Sequence, residues 1–331
     1  MALDPDGQPH VVYGRNRLFH AWYDGAAWQV EMVDAAGGSR SGPAIAIDDV
    51  GTITIVAYPD RSLLQELVVY THAPGSVWQT TAVPMPGIGY FPVLSLALDG
   101  DGRPHLLATG STSNQSPLLL YAYDAPQRWV SEPIAIQRYA LGKLSLALDS
   151  HNRPVVLYET HNEASGGRTL WLARRGAAGW THGLVAHALS VSGKSLALDA
   201  ADRAHVVFID DDQMSLFYTY QTDVGWQTLV DYSDGDNPSL ALDESGQPHV
   251  VYVSPSARLL YLVLHSEGWY PTTVTSDVYS AAASTLLLDD AGAAHIATLE
   301  YGDTLHYATN ASGYWAVTPI ARQDAVAQRH A

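Results

Sequence analysis

The sequence predicts an all-β fold: a seven-bladed β-propeller with four antiparallel strands in each blade. The first observation is a repeat, because SLALDESGQPHVVY (239–252) returns as SLALDGDGRPHLLA from Ser95, SLALDSHNRPVVLY from Ser145 and SLALDAADRAHVVF from Ser195. The second is a period of 44 to 51 residues between the aspartates that end each LALD-like segment, which is typical of repeat architectures. These aspartates are Asp4, Asp48, Asp99, Asp149, Asp199, Asp243 and Asp289.

Each unit is read as four short strands. SLALD is the first strand, and PHVVY, after a turn of the D-x-x-G type, is the second, because Asp, Gly and Pro suit a tight hairpin. The third is an L-x-Y-A segment, as in LLLYAYD (118–124). The fourth begins at a tryptophan that every unit contains: Trp28, Trp78, Trp129, Trp180, Trp226, Trp269 and Trp315. Short β-rich runs bounded by turns recur, without a helical period, so seven such units predict a propeller.

The two ends of the sequence predict how the propeller closes. Trp28 and Asp48 are 20 residues apart, and the 16 residues from Trp315 to Ala331, with the four from Met1 to Asp4, add up to the same length. We therefore expect residues 1–331 to form a single domain whose termini meet at one blade junction.

Composition excludes several partner classes. The formal net charge is -17, from 34 acidic and 17 basic residues, which disfavours nucleic acid and anionic membrane surfaces. No apolar run approaches the roughly 18–20 residues that span a bilayer. The chain has no cysteine, which excludes disulfides and thiolate chemistry. The residues after Met1 do not have the pattern of a signal peptide. The localisation stays open, and secretion of a longer form of the protein is one of the alternatives. We expect a monomer.

The repeated segment SLALDESGQPHVVY resembles the strand–turn–strand core of NHL-type and related bacterial propeller repeats, across all seven units. The resemblance implies that the SLALD strand is innermost, lining a central channel, and that the tryptophan strand is outermost. It implies nothing specific about function, since propellers carry many unrelated activities.

The histidine after the turn is predicted to be structural. It recurs in five units, as His10, His105, His205, His249 and His295, whereas a catalytic residue is needed once. We expect its imidazole to bond a neighbouring backbone or aspartate group. The tryptophans, one at the start of each fourth strand, are expected to pack between sheets rather than to bind ligands.

The candidate site lies where the units differ, in the loops between second and third strands and the crossovers between blades, which share one face. Lys143 and Lys194, the only lysines, both precede a SLALD strand. They predict a cationic spot, and the loops add charged and aromatic groups. The predicted ligand is therefore a carbohydrate or another small polar molecule, acidic ones included. The predicted ligand-binding residues are Lys143, Lys194, Arg138, Tyr139, His161, Tyr232 and Tyr301, with Tyr279 as a further aromatic residue.

Two alternatives stay open. A polysaccharide lyase would use a lysine to neutralise a uronate and His161 or Tyr139 to take the proton. A glycoside hydrolase would pair Glu159 with Glu163 or Asp210. A protein-interaction scaffold is the further alternative.

Clustered aspartates suggest a metal as the one candidate cofactor. Carboxylates at alternate loop positions are typical calcium ligands, although EF-hand spacing is absent and the pattern favours solvated turn aspartates over a calcium site. The candidate Ca²⁺ ligands are Asp210, Asp211, Asp212, Asp234 and Asp236.

Overall fold

In the computed structural model the chain consists of four-stranded antiparallel sheets, seven in the described residues. In every sheet the strands follow one another in chain order, from first to fourth. This confirms the predicted seven-bladed β-propeller. The structure describes residues 1–14, 17–35, 42–58, 66–88, 93–111, 117–125, 128–136, 143–161, 166–191, 193–231, 235–276, 283–299 and 304–322. The C-terminal tail lies outside them, so the closure at the termini stays a prediction.

The chain divides into two compact units, Met1–Ala186 and His187–Ala331. Blades 1 and 2 comprise β1 (Ala2–Leu3), β2 (Pro9–Tyr13), β3 (Leu18–Tyr23), β4 (Trp28–Asp34), β5 (Ala44–Ile47), β6 (Ile53–Ala57), β7 (Glu66–His72) and β8 (Gln79–Pro84). Blades 3 and 4 comprise β9 (Leu94–Leu98), β10 (Pro104–Ser111), β11 (Pro117–Ala125), β12 (Arg128–Ile136), β13 (Ser145–Leu148), β14 (Pro154–His161), β15 (Arg168–Gly176) and β16 (Gly179–Ala188), whose last two residues belong to the second unit.

The second unit holds blades 5 to 7. They comprise β17 (Gly193–Leu198), β18 (Ala204–Asp210), β19 (Ser215–Thr222), β20 (Gly225–Asp231), β21 (Asp236–Leu242), β22 (Pro248–Val253), β23 (Leu259–His265), β24 (Gly268–Thr275), β25 (Ala283–Leu288), β26 (Ala294–Leu299), β27 (Thr304–Thr309) and β28 (Ala316–Arg322).

Burial distinguishes inner from outer strands. Within the second unit the first strands β17, β21 and β25 contact one another in succession, while the fourth strand β20 is mostly exposed. The second strands are almost fully buried, as in β18 and β22. The SLALD strand is thus inner and the tryptophan strand outer, as the resemblance implies. None of the described residues forms a helix of the length and hydrophobicity needed to cross a bilayer.

The D-x-x-G turn is built by its aspartate. Oδ1 of Asp243 accepts hydrogen bonds from the backbone N–H groups of Ser245 and Gln247, both at 2.9 Å. Gly246 N–H donates to the Asp243 carbonyl oxygen at 2.9 Å and has φ +81°, a conformation that glycine adopts without strain. All seven turns have a positive φ at this position, at Gly7, Gly51, Gly102, Asn152, Asp202, Gly246 and Gly292. The predicted turn role of the aspartate is confirmed.

The repeated histidine joins the second strand to the third. Its Nδ1 lies within hydrogen-bond distance of a third-strand tyrosine hydroxyl in four blades. Burial raises the pKa of Tyr261 to about 12, so its hydroxyl donates and His249 Nδ1 accepts. Nε2 of His249 then faces Asp243 Oδ2 at 3.6 Å, and burial lowers the pKa of this imidazole. The four pairs are His105–Tyr121, His205–Tyr218, His249–Tyr261 and His295–Tyr307. The structural role is confirmed, with tyrosine as a partner that we did not expect.

The tryptophans pack between blades. Trp180 of blade 4 lies against buried side chains of blades 3 and 4, including Leu107 and Val156. Trp269 of blade 6 meets the ring of Tyr218 of blade 5 edge-on, with 5.5 Å between the ring centroids. This confirms that they belong to the packing between sheets, although Trp78 and Trp180 stay partly exposed.

Replacing the histidine should destabilise the fold. His249→Ala leaves the buried Tyr261 hydroxyl without its acceptor, so we expect the free energy of unfolding to fall by about 1–3 kcal/mol. Urea denaturation measures this change. His265→Ala, at an exposed position of the same blade, is the control and should change stability by less than about 0.5 kcal/mol. Equal stability losses in the two variants would contradict the structural role.

Candidate functional site

Three of the predicted site residues gather at one end of blade 4. Glu159 and His161 lie at the end of β14, and Lys143 precedes β13, whose Ser145 pairs with Leu157. Lys143 and His161 are half-buried. Glu159 is buried, with 3% of its surface exposed. The loop-bearing end of this blade therefore holds a cation, an imidazole and a buried carboxylate.

The corresponding end of blade 5 holds Lys194 and Asp210. Lys194 is only 2% exposed and is engaged in a polar interaction. A buried ammonium group needs such compensation, because leaving water costs several kcal/mol. Asp210 is also buried, and its carboxylate accepts hydrogen bonds from Asp212 N–H (3.2 Å) and the Gln213 side chain (2.8 Å).

The candidate calcium ligands are not gathered by the described part of the chain. Ser190 Oγ donates to Asp211 Oδ2 at 2.7 Å. Among the described residues, Asp210, Asp211, Asp212 and Asp236 form no group of three with ligand atoms within 4.8 Å of one another. Calcium binding stays a prediction. The other predicted residues, Arg138, Tyr139, Glu163, Tyr232, Asp234, Tyr279 and Tyr301, lie outside the described residues.

A cleft of about 550 Å³ lies at the opposite, turn-bearing end of blades 5 and 6. Its lining includes Asp199, Arg203, His205, Tyr220 and Asp243. Arg203 Nε donates to Asp199 Oδ2 at 2.7 Å. Because Asp199, His205 and Asp243 are structural residues of the repeat, the polar character of this cleft follows largely from the repeat itself.

A cluster of a different kind lies between blades 3 and 4, and we call it the Arg175 cluster: Glu132, Arg175, Trp180 and Tyr123. Arg175 Nε and Nη2 donate to the two carboxylate oxygens of Glu132, at 2.6 and 3.2 Å. Trp180 Nε1 donates to Glu132 Oε1 at 2.8 Å. The Arg175 guanidinium lies 5.5 Å from the centre of the Tyr123 ring. A charged fork and two aromatic rings thus meet at a blade junction.

The Arg175 cluster is charged and partly open to solvent. The side chains of Arg175 and Glu132 are 34% and 27% exposed. Burial raises the pKa of Glu132, but the hydrogen bonds from Arg175 and Trp180 outweigh it and hold this pKa below its usual value. The same hydrogen bond to Glu132 raises the pKa of Arg175. Both groups are therefore ionised at neutral pH, and their charges cancel.

A related arrangement lies between blades 1 and 2, and we call it the His72 cluster: Glu31, His72, Trp78 and Trp22. Trp78 Nε1 donates to Glu31 Oε1 at 3.1 Å, as Trp180 does to Glu132. The rings of His72 and Trp78 have centroids 5.0 Å apart. At the other junctions within the two units the carboxylate position holds Thr81, Leu229 or Thr272.

Sequence reasoning missed Glu31, Glu132 and Arg175. A signal was present, because glutamate stands three residues after the unit tryptophan only in the first and third units, as Trp28…Glu31 and Trp129…Glu132. A packing role for the tryptophans gives no reason to single out the glutamates that follow them on the exposed strand. Which tryptophan meets which glutamate depends on the contact between adjacent blades.

No protein-family model matches the sequence, and no curated protein matches it. The NHL resemblance therefore rests on the repeat motif alone. Solved structures do match. One is AofleA from Arthrobotrys oligospora, with 14% identity, a TM-score of 0.59, and 97% of this chain and 93% of that chain covered. Another is an Aleuria aurantia lectin mutant in complex with α-methyl-L-fucoside, with 10% identity, a TM-score of 0.59, and coverages of 85% and 94%.

A third similar structure is an ulvan lyase of polysaccharide lyase family PL25, bound to an oligosaccharide of glucuronate and sulfated rhamnose. It is 14% identical with a TM-score of 0.61, and the match covers 97% of this chain and 91% of that chain. At such low identities these likenesses show a shared propeller fold.

The burial of Lys194 predicts that the two lysines differ in their effect on stability. Lys194→Ala should lower the free energy of unfolding by about 1–3 kcal/mol, because the buried partner of the ammonium group loses its interaction. Lys143→Ala, at a half-buried position, is the control, for which we expect a change below about 1 kcal/mol. Denaturant unfolding of both variants measures the difference. A Lys194→Ala protein as stable as the parent chain would contradict it.

Proposed function

We propose that this protein is a carbohydrate-binding propeller, and that the Arg175 cluster binds a neutral saccharide with adjacent hydroxyl groups. The observation that carries the proposal is the half-exposed Arg175–Glu132 fork beside the rings of Tyr123 and Trp180. Among the described residues, the junctions between blades 2 and 3, 5 and 6, and 6 and 7 lack the carboxylate, because its position holds Thr81, Leu229 or Thr272.

The cluster suits the chemistry of a sugar. A hydroxyl group both donates and accepts hydrogen bonds, and two adjacent hydroxyls match the planar spacing of a guanidinium and a carboxylate. Arg175 uses Nε and Nη2 for Glu132, and the guanidinium carries further N–H groups. Trp180 and Tyr123 offer apolar ring surface to the C–H face of a pyranose. Since the charges of Arg175 and Glu132 cancel, a neutral ligand suits this cluster better than an anionic one.

The similar structures support a carbohydrate ligand. An Aleuria aurantia lectin and the SapL1 lectin were each solved with an α-methyl fucoside, and the ulvan lyase was solved with an oligosaccharide. We extend the proposal to a monomer with NHL-like repeats, in which Lys143 and His161 of blade 4 form a separate polar surface on the loop-bearing face. Lys194 of blade 5 stays a predicted ligand-binding residue, although its side chain is buried.

The Arg175 cluster predicts the effect of removing the fork. Methyl α-L-fucoside is the first probe, with a glycan array to identify better ligands. Arg175→Ala should weaken binding by at least about tenfold, because a charge-assisted hydrogen bond contributes about 1.5–3 kcal/mol. Glu132→Gln should also weaken it, since the amide cannot accept from all three donors. Isothermal titration calorimetry measures both.

Arg103→Ala is the matched control, because Arg103 also pairs with a carboxylate, Asp101 at 3.0 Å, but at a turn. It should bind as the parent chain does. Unchanged binding in Arg175→Ala, with a ligand found on the array, would place the carbohydrate site elsewhere.

A polysaccharide lyase is the second candidate, favoured by the likeness to ulvan lyase and by Lys143, Glu159 and His161 at one end of blade 4. Its product is an unsaturated uronate, whose ultraviolet absorbance is measured directly during incubation with ulvan. A binding propeller leaves the absorbance constant. A rise that His161→Ala abolishes would identify a lyase, while a rise without dependence on His161 would leave its base unassigned.

A further inference from the structure

We propose that the His72 cluster is a second saccharide site, in which a histidine stands where the first site has an arginine, so that acid strengthens binding there. This inference rests on the proposed function. It concerns the same ligand class at a different blade junction.

The strand registers make the two clusters equivalent. Arg175 follows Arg174, which pairs with Val155 on the second strand of blade 4. His72 pairs with Ile53, the residue before Thr54, and Thr54 of blade 2 holds the position of Val155. His72 and Arg175 therefore occupy the same place in their blades.

The partners on the preceding blades are equivalent too. Glu31 pairs with His20 of β3, and Glu132 pairs with Tyr121 of β11. Each glutamate accepts a hydrogen bond from the tryptophan of the next blade. Two residues further along the third strand stand Trp22 and Tyr123, the aromatic members of the two clusters. The His72 cluster thus keeps the carboxylate, the indole and a second aromatic ring, and has His72 in place of the guanidinium. On the third strand, His20 takes the place of Tyr121 and contacts Glu31.

The His72 cluster is accessible. Glu31 has 37% of its side chain exposed, and Trp22, Trp78 and His72 are half-buried. A hydrogen bond from His20, and then the Trp78 indole and the charges of His20 and His72, hold the pKa of Glu31 below its usual value against the effect of burial. Glu31 is therefore ionised and accepts hydrogen bonds, as Glu132 does.

The charged groups around His72 make the pH dependence specific. From the neighbouring blade, Glu31 on β4 faces it, followed by His20 on β3, whose Nδ1 lies 3.0 Å from Glu31 Oε1. Behind them, His10 Nδ1 lies 2.8 Å from His20 Nε2, and Asp4 lies 3.5 Å from His10 Nε2. On its own blade, His72 pairs with the uncharged Ile53.

In this set His72 is the imidazole that reaches solvent, because His10 and His20 are 7% and 2% exposed. Histidine gains its positive charge as the pH falls from about 8 to about 5. A charged His72 presents a cation and N–H donors beside Glu31, as Arg175 does beside Glu132. The second site should therefore fill at acid pH and empty at alkaline pH, while the first stays constant.

Calorimetry with methyl α-L-fucoside, or the best array ligand, tests this at about pH 5 and about pH 8. The parent chain should bind two equivalents at the lower pH and one at the higher. Arg175→Ala should bind one equivalent at the lower pH, at least about tenfold more tightly than at the higher. Arg175→Ala/His72→Arg should bind at both values.

A second readout separates a binding role from a structural one. Since the inference requires the protonated imidazole for tight binding, saccharide binding to Arg175→Ala at a pH between the two test values should take up a proton, seen as heats that depend on the ionisation enthalpy of the buffer. The uptake should disappear in Arg175→Ala/His72→Arg. His265→Ala, an exposed histidine of blade 6, is the control and should leave both measurements unchanged.

The outcomes distinguish this inference from the proposed function. Loss of all binding in Arg175→Ala at both pH values, with the parent chain binding one equivalent, would overturn the second site and leave the first intact. Absence of binding in the parent chain at both pH values, with any array ligand, would overturn the proposed function and the inference with it. Melting curves at both pH values confirm folding, because burial and His20 lower the pKa of His10 to about 4, below the range used.

Discussion

The structure depends on one repeated polar chain, from the turn aspartate through the buried histidine to a tyrosine hydroxyl. It joins the first turn, the second strand and the third strand of a blade where backbone pairing alone would leave the side-chain positions undefined. In blade 7 the distance from Asp289 to His295 is 3.1 Å, the shortest of the aspartate–histidine distances, and His295 Nδ1 lies 2.6 Å from the Tyr307 hydroxyl. The tyrosine ring then supports the tryptophan of the next blade, as Tyr261 supports Trp315 with ring centroids 5.1 Å apart. A polar contact inside one blade thus fixes the aromatic contact to its neighbour.

Blade 1 modifies this chain at the junction of the His72 cluster. His20 replaces the tyrosine, so the hydrogen bonds continue from His10 through His20 to Glu31 on the fourth strand. In blade 3 the tyrosine remains, and Glu132 is held instead by Arg175 and Trp180 of blade 4. The two junctions thus position equivalent carboxylates, Glu31 and Glu132, by different means. Net charge differs accordingly, since a guanidinium is always charged whereas an imidazole follows the pH.

The sequence was sufficient to predict the fold because its turn residues and its strand patterns all indicate the same repeat. The turn aspartate, the positive-φ glycine and the strand alternation recur with the same period, and the structure repeats them blade by blade. The candidate site was harder, because it is formed by contacts between units that lie about 50 residues apart. Glu132 and Trp180 are 48 residues apart, and no local pattern links them. Lys194 shows another limit, since its place before an inner strand predicts a cation at the loop-bearing face but does not show that packing leaves only 2% of it exposed.

The outward position of the fourth strand has a consequence for how such a protein diversifies. At the junctions within the two units its tryptophan packs against the neighbouring blade, whereas the residue three places after the tryptophan varies along the chain and is glutamate, threonine, glycine or leucine. A single codon change there adds or removes a carboxylate beside an indole that is already in place. If the proposed function holds, the number of saccharide sites can therefore change between related proteins without any change in the core. Each blade junction offers an indole, and the residue on the preceding fourth strand determines whether a carboxylate accompanies it.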